Sequence, residues 1–302
     1  MHSATSRGAL AALVFSAALF AQADPGDFVK QGQALTRLGK QDDALTLYRA
    51  AIDLTPNSYA ANSGAGAALD LKGDYAEARK YFTRAIETAR STGDKVRALR
   101  DMALSYGFES NCEAAVGYDR QAFDLEFAAK DFYNAGEVAD ELAGICLDAG
   151  DLDAAGAWYQ TGHEAGLREP DIQAGRKNLW EFRWEHALAR IAARRGDRAE
   201  AQKHVAAATA LLATGDNPQQ QQFLYSLMGY VAFYGGDYKA ALEQFFNASR
   251  TDAFVLVMIA QTYEKLGDKS EAMDWYRRAL EVNAHTPPVA HARPLARKKL
   301  GT

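Results

Sequence analysis

Residues 32–51, GQALTRLGKQDDALTLYRAA, and residues 66–85, GAALDLKGDYAEARKYFTRA, lie over each other at an offset of 34. Gly32, Gly39, Ala44, Tyr48 and Ala51 fall on Gly66, Gly73, Ala78, Phe82 and Ala85, and the first block closes on Leu54-Thr55-Pro56. A fixed period of this length marks an architecture of stacked units, each in contact with its neighbours. The order glycine, small residue, aromatic, small residue returns as Gly150, Ala155, Tyr159, Gly162, then as Gly236, Ala241, Phe245, Ala248, and again as Gly267, Ala272, Tyr276, Ala279. A weaker copy runs Gly196, Ala201, Val205, Ala208, and a degenerate one surrounds Ser110-Asn111 with Ala114 and Tyr118. Seven units result.

Each unit reads as a helical hairpin. Phe254, Val257, Met258, Tyr263 and Leu266 recur at helical spacing, as do Ala272, Met273, Tyr276, Ala279 and Leu280. Between them, Gly267-Asp268 joins a residue suited to the left-handed end of one helix to a residue that accepts hydrogen bonds from the next helix's free N–H groups. Gly73-Asp74, Gly150-Asp151, Gly196-Asp197 and Gly236-Asp237 repeat the device. Ala78, Ala155, Ala241 and Ala272 fit where two helices cross too closely for a larger side chain.

This spacing resembles the tetratricopeptide repeat family, whose 34-residue helix-turn-helix unit carries Gly or Ala, Tyr, Gly, Ala, an aromatic, Ala and a terminal Pro in this order. The resemblance implies an all-α, right-handed α-solenoid of about seven repeats over residues 24–286. Its units lie near 25–58, 59–92, 95–130, 135–168, 179–212, 221–250 and 252–284. The first two units match well, the last two match except for the closing Pro, and the middle departs through longer helices or linkers. Residues 287–302 read as a C-terminal cap. After Pro287-Pro288, the Arg- and Lys-rich stretch from Val289 to Leu300 is expected to form a short helix facing solvent, with Pro294 breaking or restarting its first turn. Arg293, Arg297, Lys298 and Lys299 would then be solvated, the alternative being a basic patch for acidic lipid or a partner.

Composition narrows the job. Of 302 residues 48% are hydrophobic and 24% charged, a globular balance, and a net charge of −5 argues against a nucleic-acid partner. Residues 1–23 read as a signal peptide: Arg7 is followed by an apolar run from Gly8 to Phe20 and the small-x-small site Ala21-Gln22-Ala23. The run is shorter than a membrane span, so the mature chain is expected to carry no transmembrane segment, with an uncleaved anchor as the alternative. Export through a Sec-type route to a periplasm or the exterior follows, and the compact Ala-rich signal suggests a bacterial source.

Motifs for chemistry are absent. The glycines of Gly64-Ala65-Gly66-Ala67-Ala68-Leu69 lack a preceding strand and a third glycine, and no nucleophile elbow or Cys-x-x-Cys occurs. The six histidines, at 2, 163, 186, 204, 285 and 291, form no ligand face, so neither metal nor cofactor is implied. Trp180 and Trp184, four apart, read as packing. Cys112 and Cys146 stand one repeat apart; in an oxidising compartment they invite a disulfide, the alternative being two separate small buried residues.

In the resembled family the first helices line a concave surface. Carried onto this chain, the groove takes Arg183, His186, Arg190 and Arg194 from unit 5, Arg97 and Arg100 from unit 3, Glu137, Asp140 and Asp148 from unit 4, and Tyr230, Phe233 and Tyr234 from unit 6. Guanidinium groups beside aromatics suit a peptide bearing a carboxylate and an apolar side chain. The alternative is one solvated Arg face salt-bridged to unit 4. The implied function is a non-enzymatic scaffold or adaptor that binds a protein segment or helix in this groove in the cell envelope. Its rivals are a self-assembling structural subunit and a small-molecule-binding protein.

Overall fold

A computed structural model describes residues 24–302, so the expected signal peptide lies outside the described residues. Within them the chain forms fifteen α-helices, one short 3-10 turn at Pro218–Gln220, and no strand. The hairpins are α1 (Pro25–Arg37) with α2 (Gln41–Leu54), α3 (Tyr59–Lys72) with α4 (Tyr75–Thr88), α5 (Thr92–Gly107) with α6 (Cys112–Ala128), and α7 (Phe132–Ala149) with α8 (Leu152–Gly166). They continue as α9 (Ala174–Arg195) with α10 (Arg198–Leu212), α11 (Gln221–Tyr234) with α12 (Tyr238–Asn247), and α13 (Ala253–Leu266) with α14 (Lys269–Glu281). A last helix, α15 (Pro287–Leu300), closes the chain.

The turns form for the reasons their residues suggest. Gly73, Gly150, Gly196, Gly236 and Gly267 all sit at φ between 77° and 95°, the region only glycine enters without cost. The aspartates that follow at 151, 197, 237 and 268 each accept a hydrogen bond from the backbone N–H three residues on. In the degenerate third unit Ser110 takes the positive φ and Asn111 caps α6 through Ala114 N. The alanines at 44, 78, 155, 201, 241 and 272 are wholly buried, where paired helices cross. Glycines on the first helix make room for the aromatic of the second: a Cβ at Gly66 would sit 2.5 Å from Phe82, and one at Gly229 2.6 Å from Phe245. Unit 4 departs, since Gly136 and Gly166 instead receive Trp180 from the next unit.

The C-terminal segment corrects the sequence reading. Val289, Ala290, Ala292, Arg293 and Ala296 are buried, and α15 runs as one helix through Pro294. It packs on α13 and α14 and also reaches across the concave side to α5 and α7. The physical reason lies at the end of α3. There a Schellman turn uses the carbonyls of Leu69 and Asp70, through Asp74 N and Gly73 N, leaving those of Leu71 and Lys72 without helical partners. Arg293 Nε donates to Leu71 O at 2.7 Å; Arg297 Nη2 donates to the same oxygen at 3.1 Å and Nη1 to Lys72 O. Arg293 Nη1 also reaches Leu280 O at 3.1 Å. Burial of Arg293 lowers its pKa to about 10, which leaves it charged at neutral pH. Lys299 pairs with Glu264 and Lys298 is exposed, so Arg293, Arg297 and Lys299 hold the stack together and do not make a free patch.

Just before α15, His285 Nε2 lies 2.9 Å from Asp70 Oδ2, and its Nδ1 is 3.5 Å from Asp101 Oδ1. Ser105 Oγ donates to the other oxygen of Asp70. Burial opposes the charge of His285, but the carboxylates of Asp101 and Asp70 outweigh it and push the pKa up to about 10.

Two outcomes follow. Arg293→Ala removes the side-chain donor of Leu280 O and leaves Leu71 O to Arg297 alone, and should lower stability by about 2–4 kcal/mol in urea unfolding. Arg277→Ala, which removes only an exposed pair with Asp274, should stay within about 0.5 kcal/mol; equal effects would refute the docking role. Because the folded pKa of His285 is raised, its contribution is complete below the unfolded value near 6.5 and is lost as pH rises towards 10. The stability difference between wild type and His285→Asn should therefore shrink over that interval, and a difference independent of pH would refute the ion pair.

Candidate functional site

The concave side between α7, α9, α11, α13 and α15 holds the candidate site. On α9, Arg183, His186, Arg190 and Arg194 share one face, and α7 presents acidic groups to it. Arg183 pairs with Glu137 and lies 3.9 Å from Asp140. Arg190 stands 3.6 Å from Asp148, donates to Tyr159 Oη at 3.3 Å, and lies over the rings of Tyr230 and Phe254 at 5.1 and 5.3 Å. Arg194 donates to Leu147 O, near the end of α7, at 3.0 Å and covers Tyr234 at 5.5 Å. Arg100 of α5 pairs with Glu141 at 2.5 Å.

Ionisation follows from this pairing. Burial opposes the charge on Asp148, but His291, Arg190 and Arg194 outweigh it and hold the carboxyl below its usual range. Asp140 has only the more distant Arg183, and burial pushes its pKa up to about 7. His186 is pushed down to about 3 by burial and by the charges of Arg190 and Arg183, so its imidazole is neutral at physiological pH.

The space that α15 leaves open falls into three joined cavities. A shelf of about 430 Å³ is bordered by Arg100, Glu137, Asp140, Glu141 and Arg183. It shares Gly144, His186, Arg190 and Pro287 with a more enclosed pocket of about 160 Å³, whose walls include Ile145, Leu227, Tyr230 and Phe254. That pocket in turn shares Phe223, Ser226, Asp252 and Pro288 with a third cavity of about 300 Å³, bordered by Ser249, Thr251 and Thr286. The result is a trough along the N-terminal half of α15.

Of the expected groove residues, Arg100, Arg183, His186, Arg190 and Tyr230 border this trough. Four do not. Phe233 is a correction: it is buried between Tyr234 and Tyr238 in the packing of α11 against α12. Arg97 is exposed, pairs with Asp94 and lies over Tyr59. Arg194 and Tyr234 cover each other beyond the trough. The expectation of a ligand carboxylate also needs correction, since Arg183, Arg190 and Arg100 already face carboxylates of α7. Trp180 is wholly buried, and Cys112 and Cys146 are joined by a disulfide with Cα atoms 4.7 Å apart, tying the start of α6 to α7. Sequence reasoning missed Phe223, Phe254, Asp252 and the α15 wall of Pro287, Pro288 and His291, because nothing local announces that α15 folds back.

Residues 29–94 match the tetratricopeptide repeat family, and residues 255–286 match it again. The chain is a tetratricopeptide repeat protein. No curated protein matches it. Among solved structures, this tetratricopeptide repeat protein is similar to one from Parabacteroides merdae, at 14% identity and a TM-score of 0.52, over 92% of this chain and 97% of that one. It is also similar to the apo form of RapI, at 12% identity and a TM-score of 0.58, over 92% and 98% of the two chains. At such identities the likeness concerns the fold. Tetratricopeptide repeat proteins generally mediate protein–protein interactions and generally act as scaffolds without chemistry of their own. Among the described residues no helix is long and apolar enough to cross a membrane.

Gly144 gives a handle on the trough. It lies in the middle of α7, and a Cβ there would meet only Tyr159 Oη, at 3.9 Å. Gly144→Ala should therefore stabilise the protein by up to about 1 kcal/mol through helix propensity, measured by thermal and urea unfolding; destabilisation would show that the opening is tighter than described.

Proposed function

We propose that this protein is a non-enzymatic adaptor that holds a segment of a partner protein in the trough beside α15, in the cell envelope or outside the cell. The observation that carries this reading is the run of three joined cavities on the concave side, two of them bordered by α9 residues and all left open by the chain's own last helix. Export is supported by the N-terminal pattern of Arg7, an apolar run and Ala21-Gln22-Ala23. The Cys112–Cys146 bond fits an oxidising compartment.

The test must leave the α7–α9 ion pairs intact, because reversing Arg183 would set three carboxylates against one another. A photo-crosslinking side chain at Ser226, inside the trough, is compared with one at exposed Arg277. A partner adduct formed from Ser226 in the native envelope fraction, not from Arg277, and abolished by Gly144→Leu, is the expected result. Equal labelling from both positions would reject the trough. An adduct with a second copy of the chain would replace the adaptor by a self-assembling subunit.

A further inference from the structure

The middle cavity has a shape and lining of its own. Its volume of about 160 Å³ is comparable to the ~150 Å³ apolar cavity that admits one benzene ring. Tyr230 and Phe254 are stacked at 6.0 Å with 26° between their planes, and His291 lies 5.3 Å from Phe254. Ile145, Leu227 and Pro288 complete the apolar wall, and Phe223, which borders both this cavity and the next, is 42% exposed. The charged groups are already engaged, while Arg190 Nε and Tyr230 Oη are left without a hydrogen-bond partner. Arg190 is held by Asp148 and Tyr159, Asp148 also by His291, and Asp252 accepts from Phe254 N at 2.8 Å. A ligand carboxylate would have to compete with Asp148 for Arg190, whereas a ring adds edge and face contacts to the two wall aromatics and to the Arg190 guanidinium.

We infer that this cavity is the seat of a single aromatic ring, a phenylalanine or tyrosine side chain that anchors the partner segment while its flanking backbone runs along the charged shelf and the Ser/Thr-lined cavity. This rests on the adaptor reading above and names the partner's anchor. The ring is preferred to an aliphatic side chain of similar size because only the ring presents a quadrupole to Arg190 and to the Tyr230–Phe254 pair. Acidic flanking residues are disfavoured on the shelf, where Glu137, Asp140 and Glu141 stand together.

The test uses the full chain with ¹³C-labelled Ile and Leu methyl groups, titrated with N-acetyl-phenylalaninamide, N-acetyl-leucinamide and N-acetyl-alaninamide. The phenylalanine probe should shift Ile145 and Leu227 by ring current, show NOEs to both methyls, and bind about fivefold or more tighter than the leucine probe. Gly144→Leu should abolish the shifts. The NOEs in wild type need no variant and decide the matter if that variant misfolds. Equal binding of the leucine and phenylalanine probes, or shifts elsewhere only, would overturn the ring anchor. If Ser226 still crosslinks a partner in that case, the trough reading stands and the anchor alone has failed. Crosslinks confined to Arg277 would reject the trough, and the ring anchor with it, whatever the probes bind.

Discussion

Two arginines on α15 complete the C-terminal end of α3, and the rest of the concave side depends on that contact. A helix end leaves carbonyls that need donors and carries partial negative charge. At α3 the turn satisfies two of them, and Arg293 and Arg297 supply donors for the next two from more than two hundred residues away. Guanidinium suits this role because it offers several donors in one plane on a long apolar stem, so the charge can enter a nearly closed space without isolation. His285 fixes the approach to α15 through Asp70, also on α3. The solenoid thereby curls back on itself, and its last helix becomes a wall of the groove.

That closure changes what the groove can recognise. An open concave face carrying Arg183, Arg190 and Arg100 would attract carboxylates, but the acidic residues of α7 meet those side chains first. The pairs are partly buried and geometrically supported, so a ligand carboxylate would have to displace a neighbour already in place. What remains on offer is shape: an aromatic-walled cavity made by α7, α9, α11, α13 and α15 together. No single hairpin contains it.

The difference between what was legible in the sequence and what was not follows from range. Turns, caps and the glycine–aromatic pairs of Gly66 with Phe82 and Gly229 with Phe245 are contacts within one unit, and a period of 34 displays them directly. The acidic residues of α7 and basic residues of α9 were visible as signs on adjacent units, though which carboxylate meets which guanidinium required the helices to be placed. The burial of α15 was misread because Arg and Lys usually mark solvent, and the carbonyls that receive them carry no side-chain signature. Phe233 was misplaced for a simpler reason: Tyr230, three residues before it, faces the trough, while Phe233 faces Tyr238 of α12.

Gly144 and Gly166 show why a cavity is harder to foresee than a core. Both are glycines in helices of the same unit, and each weakens its helix relative to alanine. At Gly166 the missing Cβ is used, since one placed there would lie 2.0 Å from Trp180. At Gly144 only Tyr159 Oη comes near, at 3.9 Å, and the residue borders both the shelf and the aromatic pocket. A glycine whose missing side chain serves no internal packing keeps a surface open at a cost to its helix. In this chain that opening lies where the charged shelf meets the aromatic cavity, the point that a bound segment must cross to reach both.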